Sequence, residues 1–327
     1  MRTLILGGTQ FIGLHLLYEL LRRGHAVTIL NRGQTQADLP PEVERLYADR
    51  SDPEAVKAAL AGREFDAAFD FSASTQPILA PAVEALDGSV GRYVFCSTVG
   101  VYTPSQTFPI RESHPLAGEP LTAITLYDQY AHGKVACEEH LRQRNRISGL
   151  PFTILRPCLV YGPYNSQPSW EFSFFARLRR KRPVLIPGDG SRILHMVHVD
   201  DLARAFAAVP ETGATLGQAY TLAGPEAVTL KGYVELLGRI VGADPEIRYV
   251  PPALIDDAGV PSSFTGGWIW RQDVIFSTEK AESHLGYKPR PLSVGLAETY
   301  RWYRDEGMDD QAWDFSAEDR LLEQLKG

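Results

Sequence analysis

The sequence predicts an α/β fold, with a doubly wound parallel sheet and a second, smaller C-terminal domain that caps the substrate. Three observations support this prediction. Short apolar runs alternate with helical patterns through the first half of the chain. A glycine-rich segment, residues 7–13, follows the first apolar run, and Lys134 follows Tyr130 at a helical spacing. A strand that leads through glycines into a helix predicts a phosphate-binding turn, here combined with a residue that can transfer a proton.

The elements of the first half are expected to alternate between strand and helix. Strands are predicted at residues 3–6, 26–30, 67–71, 93–96 and 153–156, and helices at residues 11–23, 53–61, 76–86 and 127–145. This alternation is typical of parallel strands joined by crossover helices, as in a Rossmann dinucleotide-binding domain. In such a sheet the ligand crevice lies at the carboxyl ends of the strands.

After Gly162 and Pro163 the pattern becomes irregular, and we expect a second domain to begin there. Its first elements are a predicted helix at 171–180 and a strand at 184–186. Residues 197–209 and 219–222 look like a return to the sheet. The resulting domain prediction assigns 1–163 and 193–228 to the dinucleotide-binding domain, and 164–192 and 229–327 to the substrate-capping domain.

Length and composition restrict the class of protein. The chain has 327 residues, of which 44% are hydrophobic and 22% charged, as expected for a folded protein with a large core. Its net charge of -7 offers nucleic acid no attraction. Three scattered cysteines predict neither a disulfide framework nor a metal site. The absence of a signal-peptide pattern and of a long apolar stretch predicts a cytoplasmic protein without membrane contact.

The glycine-rich segment is the predicted pyrophosphate site. It comprises Gly7, Gly8, Thr9, Gln10, Phe11, Ile12 and Gly13. Gly7 permits the turn, and Gly8, which has no side chain, lets the backbone come close to the ligand. Gly13 lets the helix pack on the strand. Gln10 stands where a middle glycine is usual, and its side chain could donate a hydrogen bond to the pyrophosphate.

The end of the second strand bears on the choice between NAD and NADP. Asn31 and Arg32 stand where an acidic residue usually holds the adenosine ribose. Because a neutral side chain beside an arginine would not repel a 2′-phosphate, the sequence favours NADP, although Arg32 could also be a solvated surface residue. Asp49 and Arg50 lie before the predicted helix 53–61, after a further short strand, where they could meet the adenine edge or form a plain loop.

Tyr130 and Lys134 are the predicted proton-transfer pair. Their spacing places both side chains on one helix face, where the ammonium is expected to lower the pKa of the phenol. Ser97 and Thr98 follow a strand, so that a hydroxyl could orient the substrate in the crevice. Each motif alone also fits a turn or a solvated helix, but together they predict redox chemistry at an alcohol carbon.

These motifs resemble those of extended short-chain dehydrogenases/reductases of the nucleotide-sugar epimerase/dehydratase kind. The matching stretches span nearly the full length and are residues 7–13, 95–102, 130–134 with Glu138, 155–157, 161–163 and 198–201. The resemblance implies that Tyr130 is the acid/base and that Lys134 lowers its pKa and holds the nicotinamide ribose. It further implies that Thr98 is the third catalytic member, with Ser97 as the reserve candidate.

The resemblance also implies cofactor and substrate contacts. Ser72 and Ala73, with Ser97, Tyr130 and Lys134, would line the cofactor, and Pro157 and Leu159 would flank the nicotinamide. The candidate substrate contacts are Ser74, Thr98, Tyr102, Arg192 and Arg271. Homodimers would form through the helices near residues 76–88 and 127–145.

Two positions depart from the family pattern. Leu159 stands where members that act on nucleotide sugars commonly have an asparagine for the diphosphate, and Leu194 stands where they have an arginine, although Arg192 is near in sequence. Because leucine cannot replace charge-assisted hydrogen bonds, both departures weaken the case for an ordinary uridine-diphosphate sugar. The expected substrate is therefore a sugar or a nucleotide-sugar-like molecule with a secondary alcohol or ketone.

The alternative is an RNA-associated binding protein that retains the cofactor fold. Residues 270–277 are most similar to a branch that contains the chloroplast stem-loop-binding proteins and bacterial relatives, some of which bind RNA. The dense basic run is Arg177, Arg179, Arg180, Lys181 and Arg182, close to Phe172, Phe174 and Phe175. We interpret the phenylalanines as core and the cations as a solvated helix end, and the enzyme as the main prediction: an NAD(P)-dependent epimerase or oxidoreductase.

Overall fold

The computed structural model describes residues 1–35, 37–117, 126–165, 171–257 and 272–325. The strands are β1 (Arg2–Leu6), β2 (Ala26–Asn31), β3 (Glu44–Tyr47), β4 (Ala67–Asp70), β5 (Tyr93–Cys96), β6 (Phe152–Pro157), β7 (Leu159–Tyr161), β8 (Val184–Pro187), β9 (Ile193–His198), β10 (Ala219–Leu222), β11 (Ala227–Thr229) and β12 (Ile247–Val250). The helices are α1 (Phe11–Arg22), α2 (Pro53–Leu60), α3 (Gln76–Leu86), α4 (Leu126–Ser148), α5 (Glu171–Arg179), α6 (Val199–Ala208), α7 (Leu230–Val241), α8 (Pro252–Asp257), α9 (Glu279–Leu285), α10 (Leu292–Asp305) and α11 (Ser316–Gln324).

The largest sheet has seven strands in the order β10-β6-β5-β4-β1-β2-β3. Every pairing within it is parallel. The predicted doubly wound α/β fold is therefore confirmed. The strand order reverses between β1 and β4, and ligands of such sheets bind beyond the carboxyl ends of the strands at this reversal.

The central strands are apolar because helices cover both faces of the sheet. β4, β5 and β6 are buried along their whole length, which is typical of parallel strands. On one face, Leu4 and Phe95 pack with Val83 of α3 and Leu141 of α4. α1 and α6 pack against each other, and Leu16 lies on the buried face of α1.

The described residues divide into two compact units. The first contains residues 1–158, 199–223 and 277–288, and the second contains residues 159–198, 224–276 and 289–327. α9 belongs to the first unit because Lys280 donates to the side chain of Gln218 and to the carbonyl of Ala219. No helix in the described ranges combines the length and the apolar character needed to cross a bilayer.

The second unit has its own core. Its strands form a three-stranded sheet, β11-β9-β7, and a two-stranded pair, β12-β8. The phenylalanines of α5 lie in this core, with the ring of Phe175 stacked at an angle against Tyr300 and Tyr303. The interpretation of these phenylalanines as core residues is confirmed.

The basic run at the end of α5, residues 177–182, is partly solvated and partly paired with the C-terminal segment. Arg177 is buried and pairs with Glu318, and Arg182 pairs with Asp319. Arg179 lies 3.0 Å from the carboxylate of Asp309, and Arg180 donates to the carbonyl of the same residue. Arg179, Arg180 and Lys181 are exposed, so the predicted solvated helix end is confirmed for these three residues, whereas Arg177 is buried.

Candidate active site

The glycine-rich turn joins β1 to α1 in a conformation that only glycine adopts readily. Gly7 has φ +111° and Gly8 has φ +88°. The amide of Gly7 donates to the carbonyl of Leu30 at 2.9 Å, so the turn is fixed to β2. A Cβ on Gly8 would lie 3.1 Å from Ile5 and 3.2 Å from Ile29. Both glycines are therefore required, as the sequence predicted.

The N-terminus of α1 fits an anionic ligand. A Cβ on Gly13 would lie 2.9 Å from backbone atoms of Gly8, so glycine at this position lets the helix start beside the turn. Among the described residues, no side chain caps the helix at Gln10, and its first turn contains no acidic residue. The amides of this turn are therefore suited to a pyrophosphate. Thr9, Phe11 and Ile12 are half-buried, and Gln10 is exposed.

The carboxyl ends of β2 and β3 form the predicted adenosine end of the site. The side chain of Asn31 accepts a hydrogen bond from the amide of Gly33 at 2.8 Å, which fixes the turn that follows β2. Arg32 is exposed in this turn. Tyr47 is paired in register with Asn31 and is 63% exposed. Tyr47 was not among the predicted site residues, although an aromatic residue at the end of a polar strand could have indicated it.

Asp49 and Arg50 have different environments. Asp49 is exposed, and its carboxylate accepts hydrogen bonds from the hydroxyl and the amide of Ser51. These bonds, with a smaller effect of the Arg32 charge, lower the pKa of Asp49. Arg50 is instead buried, and its guanidinium donates to the carboxylate of Asp70 at 2.9 Å. Arg50 therefore neutralises a buried acid, and its contact with the adenine edge stays a prediction.

Asp70 organises the loop that follows β4. Its carboxylate is fully buried and accepts hydrogen bonds from Tyr93 at 2.7 Å and from the amides of Ser72 and Ala73 at 3.0 and 3.1 Å. Burial raises the pKa of Asp70, but Arg50 and these donors bring it below its usual value. Asp70 thus fixes the backbone of the predicted cofactor contacts Ser72 and Ala73. Sequence reasoning missed it, although an acid at the end of an apolar strand was a usable signal.

Lys134 connects α4 to this loop and to β5. It is 3% exposed, and its ammonium donates to the carbonyl of Ala73 at 2.8 Å and to the carbonyl of Cys96 at 2.6 Å. The preceding residue allows the close approach, since a Cβ on Gly133 would lie 2.2 Å from the carbonyl oxygen of Ser74. Gly133 therefore places Lys134 beside the predicted cofactor loop.

Tyr130 lies one helical turn before Lys134. Its side chain is 42% exposed, and the centroid of its ring lies 5.7 Å from the ammonium of Lys134. The surrounding protein raises the pKa of Tyr130 by disfavouring the phenolate, with smaller effects of Cys96 and Cys137. The expected lowering of this pKa is therefore not found, because desolvation of the phenolate prevails. Tyr130 is a protonated phenol at neutral pH.

Ser97 and Thr98 follow β5 but differ in their surroundings. Ser97 is 3% exposed and donates to the carboxylate of Glu138 at 2.7 Å. Thr98 is half-buried, and its hydroxyl oxygen accepts a hydrogen bond from the amide of Gly100 at 3.1 Å. Because this oxygen acts as the acceptor, the hydroxyl hydrogen of Thr98 can be donated to a substrate. The geometry thus favours Thr98 over Ser97 as the substrate-orienting hydroxyl.

Tyr102 has a supporting position. It is 7% exposed, and its hydroxyl lies 3.0 Å from the guanidinium of Arg156 and 2.7 Å from the hydroxyl of Thr221. Burial raises the pKa of Tyr102. The hydroxyl of Tyr102 is therefore directed into a buried polar network, and its substrate contact stays a prediction.

The remaining predicted contacts are placed as follows. Ser74 is half-buried in the loop after β4, and Pro157 ends β6 in the first unit. Leu159 begins β7 in the second unit. Arg192 is exposed in the second unit, and its guanidinium lies 3.5 Å from the carboxylate of Asp273. Arg271 lies outside the described residues.

A protein-family model matches most of this chain. The model described as the NAD dependent epimerase/dehydratase family matches residues 3–81 and 75–223 of this chain. These residues include the glycine-rich turn, the Asp70 loop, Thr98, Tyr130 and Lys134. The resemblance noted from the motifs is confirmed.

Curated relatives align along most of the chain. It is 32% identical to the chloroplast stem-loop binding protein of 41 kDa b from Arabidopsis thaliana, with 98% of this chain and 84% of the relative covered. It is 28% identical to a UDP-glucose 4-epimerase of Mycolicibacterium smegmatis, with 94% of this chain and 99% of the relative covered.

Solved structures share the fold. A dTDP-glucose 4,6-dehydratase from Streptomyces venezuelae, solved with NAD and TYD bound, matches with a TM-score of 0.75 and 26% identity, covering 95% of this chain and 99% of that one. A UDP-glucose 4-epimerase from Thermotoga maritima, solved with UDP-glucose, matches with a TM-score of 0.77 and 24% identity, covering 94% and 99%.

Proposed function

This chain belongs to the NAD-dependent epimerase/dehydratase family, and we propose that it acts through Thr98, Tyr130 and Lys134 at a secondary alcohol or ketone of a sugar-like substrate. Membership supports an NAD(P)-dependent epimerase or reductase. The observation that carries the proposed site is the position of Lys134. Its ammonium binds the carbonyl of Cys96, two residues before Thr98, and lies on the same helix face as Tyr130.

The cofactor would be held by the first unit. The turn with Gly7, Gly8 and Gly13 and the N-terminus of α1 fit the pyrophosphate, and Ser72 and Ala73 are presented by the fixed loop after β4. A bound nicotinamide would supply or accept the hydride at the substrate carbon. The protein itself contributes binding, orientation and proton transfer.

The proton step is assigned to Tyr130. Its phenol would give a proton to the substrate oxygen when a ketone is reduced, and would take it back when an alcohol is oxidised. Thr98 would donate a hydrogen bond to the same oxygen and stabilise the charge that develops there. Desolvation raises the pKa of Tyr130, so the phenol carries the proton that the reduction of a ketone requires.

NADP is the proposed cofactor. Arg32 is exposed beside Asn31, and a guanidinium at this place can bind a 2′-phosphate through charge-assisted hydrogen bonds. Tyr47 offers an exposed ring at the same end of the sheet. The carboxylate of Asp49 competes for Arg32, so the preference over NAD is expected to be moderate.

The substrate is proposed to be sugar-like but not an ordinary uridine-diphosphate sugar. Leu194 is 3% exposed and belongs to the apolar core of the second unit, so it offers no hydrogen bond to a diphosphate. Leu159 packs on the same core. The nucleotide-sugar enzymes among the relatives support the general class of substrate, and the second unit is proposed to act as its cap.

The proposal includes a homodimer located in the cytoplasm. Its interface would be formed by residues 76–88 and 127–145, which include α3 and most of α4. α3 and α4 pack against each other, so both stretches can contribute to one interface. Light scattering of the purified protein tests this point, since a monomeric mass at micromolar concentration contradicts it.

The competing class is an RNA-associated protein. Its support is the 32% identity to a stem-loop binding protein. Against it, the arginines of α5 pair with acidic residues and carbonyls of the second unit, and the net charge is -7. We therefore expect no retention on immobilised polyanion at physiological salt, where phosphate contacts weaken steeply. Retention that decreases with salt would favour the RNA-binding class.

The proposed function is tested by identifying the cofactor and then the substrate. Mass spectrometry of nucleotides that copurify should show a nicotinamide dinucleotide, and the protein should bind added NADPH. A panel of ketoses and nucleotide sugars is then screened for turnover. Nicotinamide absorbance detects reduction or oxidation, and chromatography of the sugar products detects epimerisation, which leaves the absorbance unchanged. The proposal would be refuted if the protein bound neither NADPH nor NADH and turned over no member of the panel.

A further inference from the structure

A buried ion pair connects α4 with β6. Glu138 is fully buried and Arg156 is 1% exposed. The guanidinium of Arg156 donates to both carboxylate oxygens of Glu138, through Nε at 2.9 Å and Nη2 at 2.5 Å. Burial raises the pKa of Glu138, but Arg156, with Ser97 and Arg142, brings it below the usual value. The carboxylate is therefore ionised at neutral pH.

The same pair binds both ends of the short segment that carries Thr98. At one end, the hydroxyl of Ser97 donates to Glu138 at 2.7 Å. At the other end, Nη1 of Arg156 donates to the hydroxyl of Tyr102 at 3.0 Å. Between these anchors, the amide of Gly100 donates to the Thr98 hydroxyl at 3.1 Å and closes the turn. Residues 97–102 are thus attached at both ends to one ion pair.

The ion pair also connects residues 97–102 to the helix that carries Tyr130. Tyr130, Lys134 and Glu138 follow one another at intervals of one helical turn, so all three lie on one face of α4. Stability alone does not require such a pair, because apolar residues of similar volume are often at least as stabilising as a buried ion pair. A charged, bidentate pair does fix the distance between the elements that it joins.

We propose that Glu138 and Arg156 are positioning residues for Thr98, which they hold at a fixed place relative to Tyr130 through Ser97 and Tyr102. The inference rests on the proposed function, because it assumes that the hydroxyl of Thr98 binds the substrate oxygen. Neither residue of the pair needs to touch the substrate. Their effect on the reaction passes through the segment 97–102.

The physical part of this inference is tested by hydrogen exchange followed by mass spectrometry. Ser97→Ala removes one anchor and Tyr102→Phe removes the other, while both leave the ion pair in place. Either change should speed amide exchange in residues 97–102 by about tenfold, because the local opening free energy falls. Ser148→Ala, which removes a hydroxyl from the far end of α4, is the matched control and should change nothing in this segment. Unchanged exchange in both anchor variants overturns the inference.

The functional part is tested by a double-mutant cycle. Turnover with NADPH is measured on D-fructose and dihydroxyacetone, and turnover with NADP⁺ on UDP-glucose and dTDP-glucose. Ser97→Ala should lower kcat by about tenfold and change KM by less than about twofold. In the Thr98→Ala background, the same Ser97→Ala change should lower kcat by less than about twofold, since the residue through which it acts is gone. Losses that simply add overturn the positioning role.

The outcomes separate the inference from the proposed function. If Thr98→Ala keeps the turnover of the unaltered protein, the assigned role of Thr98 fails, and the inference fails with it. If the unaltered protein turns over none of these four probes and binds neither dinucleotide, the proposed function itself is refuted. Additive losses in an active enzyme with a normal Thr98→Ala defect refute only the positioning of Thr98 by Glu138 and Arg156.

Discussion

The ammonium of Lys134 lies 5.7 Å from the centroid of the Tyr130 ring, one turn along α4, and is held there by two backbone carbonyls. One carbonyl belongs to Ala73 in the loop fixed by Asp70, and the other belongs to Cys96 at the end of β5. A single buried cation therefore connects α4, which carries the proton-transfer residue, to the carboxyl ends of two strands, β4 and β5. This relation is why the proposed chemistry can be located in the first unit.

Replacing Lys134 should weaken both folding and cofactor binding. In Lys134→Met the carbonyls of Ala73 and Cys96 lose their donor, and each unsatisfied buried acceptor costs about 1 to 3 kcal/mol. Urea unfolding should show the loss in the free energy of unfolding, and NADPH titration should show weaker binding. Lys231→Met, at an exposed lysine paired with Glu235, is the control. A loss no larger than that of the control would contradict the structural role of Lys134.

Adding one methyl group at Gly133 should disturb the site. The Cβ of Gly133→Ala would lie 2.2 Å from the carbonyl oxygen of Ser74, so α4 must move away from the loop after β4. Overpacking of this kind costs about 1 to 3 kcal/mol, and the shift should also weaken NADPH binding. Gly213→Ala is the matched control, because a Cβ there meets no described atom within 4 Å. Equal thermal stability and NADPH affinity in the two variants would disagree with this account.

The sheet and the glycine turn could be predicted from sequence because their causes are local. Apolar runs of strand length, separated by helical patterns, dictate a parallel sheet, and the positive φ angles of Gly7 and Gly8 require glycine. The family resemblance already favoured Thr98 over Ser97, but the physical reason for this preference could not be predicted. It depends on Glu138, which is far along the chain and meets Ser97 only after β5 and α4 have packed.

The environments of Arg50 and Tyr102 and the pKa of Tyr130 differ from what local sequence patterns suggest, for one physical reason. Arg50 and Tyr102 were expected to face ligands, but each meets a buried polar partner from a distant segment, Asp70 and Arg156 respectively. The pKa of Tyr130 was expected to fall, but desolvation depends on how much protein surrounds the phenol, which spacing along a helix does not reveal. These contacts and this pKa depend on burial by distant parts of the chain, which local sequence patterns do not reveal.

Arg32 should determine the preference for NADPH. Removing its guanidinium in Arg32→Ala should weaken NADPH binding by about tenfold, as expected for one lost charge-assisted hydrogen bond, and should leave NADH binding within about twofold. Fluorescence titration measures both affinities. Arg45→Ala, at an exposed arginine on β3, is the control. Tenfold tighter binding of NADH than NADPH by the unaltered protein would overturn the choice of cofactor.

Glu171 should make the second unit less stable as pH rises. The residue is fully buried, and desolvation raises the pKa of its carboxyl from 4.5 to about 7, although the amide of Gly162 and the side chain of Asn165 donate to it. Because the folded state keeps a proton that the unfolded chain releases, this contribution is complete below pH 4.5 and is lost as pH rises to about 7.

The measurement compares the unaltered protein with Glu171→Gln, whose amide does not titrate. The difference between their free energies of unfolding should change with pH by up to about 1.4 kcal/mol per unit across this window. Urea unfolding at several pH values gives both curves. Parallel curves would show that Glu171 titrates alike in the folded and unfolded states, contrary to this account.

The central claim, proton transfer by Tyr130, is tested most directly by turnover of Tyr130→Phe on whichever panel substrate the unaltered enzyme uses, with Tyr18→Phe as the control at a similarly exposed tyrosine. The account predicts that turnover falls by a factor of about 100 to 10,000, while NADPH affinity stays within a few-fold and the control remains fully active. Normal turnover by Tyr130→Phe would contradict it.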